Sequence, residues 1–195
     1  MSVSTVDACT SAVDAFTTRR LSAERVREGH FELLVGLFQD PRVAATLGGP
    51  ITVIEAKDRL EENERHWNVN GFGFWVFHDK RSGDFVGRGG LRRVRIEGAF
   101  ETEIAYAVAS DYWDRGLATE MADSIVDIAF RKLDLADLVA FTLPTNMASR
   151  RVMEKVGFRY ERDIQHAGLP HVLYRRTSET RRYTTATPRA SAGKP

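Results

Sequence analysis

Apolar positions change their spacing along this chain, and the changes outline its elements. Phe16 to Val26 reads as a first strand. From Gly29 to Leu47, Phe31, Leu34, Val35 and Phe38 recur at helical spacing, and Pro41 predicts a break after Gln39. Ile54, Leu60 and Trp67 mark a second, charge-rich helix over Thr52 to Trp67. The period then shortens. Phe72–His78, Asp84–Ile96 and Phe100–Ala109 read as three strands, and their short connections predict antiparallel neighbours. From Arg115 to Lys132, Leu117, Met121, Ile125 and Ile128 share one helix face, and Glu120, Asp123, Asp127 and Arg131 take another. A strand at Leu138–Leu143, a helix over Asn146–Val156 closed by Gly157, and strands at Arg159–Ile164 and His171–Arg176 complete the series. The order β-α-α-β-β-β-α-β-α-β-β predicts an α/β (α+β) fold, one mixed sheet of about seven strands flanked by about four helices.

That domain is expected to run from 16 to 177. Residues 1–15 are small, polar and without period, the pattern of a flexible arm. The segment 178–195, SETRRYTTATPRASAGKP, has the composition of a disordered, solvated tail. Its Arg181, Arg182, Arg189 and Lys194 offer an alternative, contact with an acidic partner.

Composition narrows the function classes. The chain has 195 residues, 43% of them hydrophobic, enough for one real core. Its net charge is only +1, which argues against nucleic acid as the main partner. Cys9 is the only cysteine, so no disulfide can close within the chain and a reducing, cytoplasmic compartment fits. No basic start followed by an apolar run appears, nor the roughly 20 apolar residues of a membrane helix. His66, His78, His166 and His171 lack metal-ligand spacing, so no metal is expected.

The chemistry concentrates in Tyr106 to Glu120, YAVASDYWDRGLATE. A strand ends near Ala109, a loop follows, and a helix opens near Arg115 among the small residues Gly116, Ala118 and Thr119. The first N–H groups of a helix have no internal partners and sit at the positive end of its dipole. With a glycine there, a diphosphate can approach the backbone, and Arg115 can add a charge-assisted contact. The plain alternative is an ordinary strand-to-helix turn capped by Asp111 or Asp114, with Gly116 present for packing. The glycines at 87, 89 and 90 do not form a dinucleotide fingerprint, and no phosphate-binding Gly-Lys-Ser/Thr loop occurs.

Trp113-Asp114-Arg115-Gly116-Leu117-Ala118-Thr119-Glu120 resembles the coenzyme A loop of the GNAT acetyltransferases, closest to the branch that acetylates ribosomal-protein N-termini. Trp113 stands where the general loop has Arg or Gln. Phe141 to Phe158, FTLPTNMASRRVMEKVGF, is similar to the next strand, helix and Gly-Phe ending of that superfamily. Phe85 to Leu91 is similar to its third strand. The resemblance covers roughly Thr17 to Thr177. It implies a GNAT-type, mostly antiparallel sheet with a splay between the fourth and fifth strands, acetyl-CoA as co-substrate in that gap, and a primary amine as acceptor. Protein N-termini and small-molecule amines both stay open, and a homodimer is possible. The second functional alternative is an inactive acyl-CoA-binding module acting as sensor or scaffold.

Carried onto this chain, the cofactor-binding set is Ala107, Val108, Ala109, Arg115, Gly116, Leu117, Ala118, Thr119, Asn146 and Ser149. Ala105, Ala107 and Ala109 share one strand face, expected to leave room for the acyl thioester. Both common amine types are largely protonated near neutrality, so attack needs a proton acceptor. Glu103 is the candidate, with Glu101 on the same face to draw in a cationic substrate. A backbone N–H near Ala107 or Val108 would steady the oxyanion. Ser149 and Tyr106 are candidates to serve the leaving thiolate. The loops 46–71 and 164–170 are expected to shape the acceptor pocket, and the aromatic cluster of Trp67, Phe72, Phe74 and Trp75 to pack the core or wall that pocket. Each site residue also has a bland alternative: solvated strand ends for the two glutamates, a packed aromatic for Tyr106, a local backbone bond for Ser149 and a plain helix N-cap for Asn146.

Overall fold

The computed structural model of the protein describes residues 13–178. Within them one sheet holds eight strands: β1 (Ala15–Thr17), β2 (Leu21–Arg25), β3 (Phe74–Asp79), β4 (Phe85–Ile96), β5 (Ala99–Val108), β6 (Asp137–Thr142), β7 (Arg159–His166) and β8 (Leu169–Thr177). The helices are α1 (Phe31–Gln39), α2 (Pro41–Thr46), α3 (Val53–Asn70), α4 (Leu117–Arg131) and α5 (Met147–Lys155). Strand order is β1-β2-β3-β4-β5-β6-β8-β7, antiparallel throughout except where β5 meets β6.

The expected mixed α/β architecture is present, with local corrections. Phe16–Val26 is a hairpin rather than one strand. The Thr18 N–H bonds the Leu21 carbonyl at 2.8 Å, turning the chain without glycine or proline. The helical region from Gly29 breaks at Pro41, as the missing N–H requires. Both halves are helical, because Asp40 accepts from the Arg42 N–H and caps the second. The arm expected over 1–15 is folded at its end. Ala15 pairs with Glu24, and the Val13 carbonyl accepts from the Trp75 indole at 2.8 Å. The rest of that arm, with Cys9, and the tail from 179 lie outside the described residues.

Alternation along β3 shows how the sheet separates two cores. Trp75 and Phe77 point into a cluster with Leu117, Met121 and Ile125 of α4. Phe74 and Val76 point the other way, toward Leu34 and Phe38 of α1 and Leu60 of α3. Helix α4 lies close to β4 because Gly89 lacks a side chain. A Cβ there would come within 2.9 Å of both Ile125 Cδ1 and Met121 Sδ, two buried residues. Gly89→Val is therefore expected to overpack this contact by about 2 kcal/mol, lowering Tm by roughly 4–8 °C. An unchanged Tm in scanning calorimetry would contradict that packing.

Candidate active site

Strands β5 and β6 run parallel and pair at only one position, Glu103 with Val139. Beyond it they part as β5 continues to Val108 and β6 to Thr142. Alternation in the β4–β5 ladder determines what faces the gap. The Ala109 N–H bonds the Val86 carbonyl at 2.8 Å, and the same register turns Ala107 toward Arg88. The main-chain groups of Tyr106 and Val108 are left facing β6. The Trp113 indole takes the Val108 carbonyl at 2.8 Å, while the N–H groups of Tyr106 and Val108 have no partner among the described residues. Of the two backbone donors expected from sequence, Ala107 is engaged with β4 and Val108 is free.

At the mouth of this gap α4 begins. It starts at Leu117, two residues later than expected, with Gly116 as N-cap in the left-handed region (φ 71°) and no side-chain cap. The alternative of an Asp-capped turn is not what the chain adopts. Asp111 pairs with Arg42 at 3.0 Å, and Asp114 sits in the loop at φ 59°. The N–H groups of Leu117, Ala118 and Thr119 have no partner among the described residues. Arg115 precedes the helix and stacks its guanidinium on Tyr112 at 5.0 Å.

Glu120 would oppose an anion at this helix start, but its charge is matched. Arg20 Nε reaches it at 2.6 Å, the Arg20 N–H at 2.7 Å and the Thr18 hydroxyl at 2.5 Å. Burial pushes its carboxyl up, yet these hydrogen bonds win and hold it below the ordinary value. The other end of Arg20 donates to the Arg115 carbonyl at 2.8 Å, fastening the loop to the β1–β2 turn.

The candidate chemical groups divide between the two faces of β5. Tyr106 lies on the α4 and α5 side, where its hydroxyl is 3.3 Å from Ser149 Oγ and 3.2 Å from the Ser149 carbonyl. Burial pushes its phenol up to about 12. The Ser149 hydroxyl thus meets Tyr106 rather than its own backbone. Asn146 caps α5 by accepting from the Ser149 N–H at 3.0 Å, and its amide donates to the Thr46 carbonyl at 3.3 Å. Its side chain already joins α5 to the end of α2.

On the opposite face, Glu103 is 3% exposed and accepts from Arg92 Nε at 2.5 Å through Oε2. Oε1 accepts no hydrogen bond among the described residues. Because Glu103 pairs with Val139, its carboxylate sits at the vertex of the splay.

Two expectations on this face are corrected. Glu101 is not free to attract a cation. Arg175 grips it with bonds of 2.7 and 3.0 Å and also binds Asp137 and Glu161. The Arg175 hydrogen bond holds the Glu101 carboxyl below its ordinary value of 4.5. A depressed folded-state value gives stability above pH 4.5 that is lost as acid protonates the group. Wild type should therefore exceed Glu101→Gln by about 2 kcal/mol at pH 7 in urea unfolding. The gap should close below pH 4.5; a constant gap would refute the coupling. The second correction concerns Ala105, Ala107 and Ala109. They share a face, but Leu37 and Val43 pack on Ala107, and the Phe38 cluster covers Ala105. Their small side chains seat α1 and α2 rather than leave space.

Several groups near Glu103 were not singled out from sequence. Arg92 pairs with it directly, and Arg88 lies four residues earlier on the same face of β4. The even spacing of Arg88 and Arg92 along one strand is the signal that puts both on one face. His166 and His171 stack around Phe141 at 4.7 and 5.4 Å. Burial holds His166 below its ordinary value, with the Glu103 carboxylate opposing in part. His66 is structural: Nδ1 meets the Phe72 carbonyl at 2.7 Å, and Nε2 accepts from the Arg93 N–H at 2.9 Å. With both nitrogens engaged and burial lowering its pKa, it stays neutral. Among the described residues no cluster of His, Cys, Asp or Glu is arranged to hold a metal ion, and no helix is long and apolar enough to cross a membrane.

A sheet that parts beside an uncapped helix start sets a free strand edge next to an anion-attracting helix N-terminus. The acetyltransferase (GNAT) domain family matches residues 20–159. The uncharacterized protein YkkB of Bacillus subtilis (strain 168) is 32% identical over 142 residues, covering 73% of this chain and 83% of that protein. The solved acetyltransferase from Agrobacterium tumefaciens str. C58 superposes with a TM-score of 0.75 at 22% identity, over 84% of this chain and 94% of its own. Mycobacterium smegmatis RimJ, solved in complex with a CoA disulfide, gives a TM-score of 0.70 at 21% identity, over 88% and 90%. The chain belongs to the GNAT family and is an N-acetyltransferase of that family.

Proposed function

We propose that the protein transfers an acetyl group from acetyl-CoA to a primary amine by direct attack within a ternary complex. The observation that carries this is the set of unpartnered N–H groups at Leu117, Ala118 and Thr119, beside the free edge of β5 at Tyr106 and Val108. The helix start suits the diphosphate, and the strand edge suits an amide-bearing arm. Arg115 is close enough in sequence to add charge. RimJ of M. smegmatis, which shares the fold, was solved with a coenzyme A derivative, consistent with the same donor here.

Acetyl-CoA supplies the activated acyl group; this chain's residues handle positioning and protons. The amine nitrogen bonds to the acetyl carbon as the carbon–sulfur bond breaks. Glu103 takes the amine proton through the free Oε1, directly or through one water. The Val108 N–H is the available donor for the carbonyl oxygen.

Tyr106 meets the departing sulfur as a hydrogen-bond donor rather than by giving up its proton. Burial pushes its phenol up to about 12, well above an ordinary thiol, which favours hydrogen-bond donation over full proton transfer. Ser149 Oγ stands beside it to orient the phenol. Tyr106→Phe should accordingly lower kcat by only about fivefold. A hundredfold loss would make the phenol the obligatory acid.

The direct test is thiol release from acetyl-CoA with a broad panel of amines, read with CoA binding by calorimetry. Amine-dependent release supports the enzyme. Binding without release from any amine would support the inactive module.

A further inference from the structure

On the α1 and α3 side of the sheet lies a small open cleft of about 70 Å³, bordered by Arg59, Asn63, Arg88 and Arg92 over an apolar floor that includes Phe38 and Phe74. Arg92 links it to the vertex of the splay through Glu103. Arg88 lies between two rings, 4.4 Å from the centroid of Phe74 and 4.8 Å from that of Phe38. Its Nε is out of contact with water and has no hydrogen-bond partner. The Asn63 Nδ2 atom in the same lining is likewise buried and unpartnered, while Asn63 Oδ1 holds the Phe74 N–H at 2.9 Å. Arg59 lies over the same Phe38 ring at 5.4 Å, with no ion pair among the described residues.

Both orphaned atoms are donors, and an unmade bond of this kind costs roughly 1–3 kcal/mol in a buried setting. The Arg88 charge is only partly compensated: burial, then Arg92 and Arg59, disfavour it, while Glu103 and the two flanking rings oppose them. Glu62 is the one carboxylate on the lining, and it is exposed; Glu103 lies outside the lining and meets the cleft only through Arg92. A cleft with orphan donors and excess guanidinium charge lacks one thing, a buried acceptor bearing negative charge.

We propose that the acceptor amine carries an oxyanion, carboxylate or phosphate, that seats on Arg88 and Arg59 with the Asn63 amide while its amine points toward Glu103. This rests on the acetyl-transfer reading above and specifies its substrate class. It replaces the expectation of a cation-attracting entrance.

The test uses matched amines on the full-length protein saturated with CoA, so that the α4 start is already filled. O-phosphoethanolamine is compared with ethanolamine, and β-alanine with β-alaninamide, by calorimetric Kd and by thiol release from acetyl-CoA. At least one anionic member should bind about tenfold or more tightly than its neutral partner, and the two pairs separate phosphate from carboxylate. Arg88→Gln should erase the preference. Arg59→Gln, at an exposed helix position that should fold normally, should reduce it. Equal binding within both pairs, or no heat from either anionic member, overturns the proposal even if neutral amines are acetylated. Anion binding without thiol release from any amine would support the site and count against acetyl transfer instead.

Discussion

Gly116→Val is expected to weaken CoA binding by roughly 30- to 150-fold, about 2–3 kcal/mol, while leaving the fold intact. The native residue sits at φ 71°, where a side chain costs about 1–2 kcal/mol and a β-branched one costs more. Space is not the obstacle, since a Cβ there meets only Arg20 Nη2 at 3.7 Å. The strain instead rotates the loop, and the Leu117, Ala118 and Thr119 N–H groups cease to converge. Calorimetry reports the affinity, and Tm should drop by only a few degrees. Unchanged affinity would mean that the diphosphate is held elsewhere.

Glu103→Gln is expected to lower kcat/KM by roughly 100-fold or more, the scale of a lost general base, with CoA affinity unchanged. Glutamine keeps the shape but cannot take the proton. The side chain of Arg92 is 43% exposed, so water can compensate for part of its lost partner. That keeps the stability cost below what stranding a fully buried charge would bring. The activity deficit should shrink above the pKa of the amine, where the nucleophile arrives already neutral. A deficit constant from pH 7 to pH 10 would point to a structural ion pair, and turnover equal to wild type would remove Glu103 from the mechanism.

Local chemistry was the part of this protein that its sequence displayed most clearly. The helix start at Gly116 to Thr119 is a contiguous pattern of small residues between a strand and an amphipathic helix, so it could be placed within two residues. Glu101 and Glu103 were correctly put on one strand face, because alternation is fixed by the backbone. Their fates diverge for a non-local reason. Arg175 reaches Glu101 only because the sheet inserts β8 between β6 and β7, and no spacing in the sequence encodes that order. Ala105 and Ala107 illustrate a similar limit: small residues permit close approach, but whether a helix or a ligand approaches depends on where α1 and α2 dock. The β1–β2 turn is not legible in the sequence because Thr18, Arg19 and Arg20 include no glycine, proline, Asn or Asp, and the Thr18 hydroxyl closes it instead. The cleft around Arg88 was the least legible. Phe38 and Phe74, from elements far apart in the chain, create the buried setting that makes an ordinary strand arginine notable.

Amide NMR of the protein titrated with CoA addresses the central claim most directly, because the claim concerns particular N–H groups. The largest shifts should fall on Leu117, Ala118 and Thr119, with a second set at Tyr106 and Val108, while Ala107 moves little. Saturable binding that leaves the α4 amides unmoved would contradict the account.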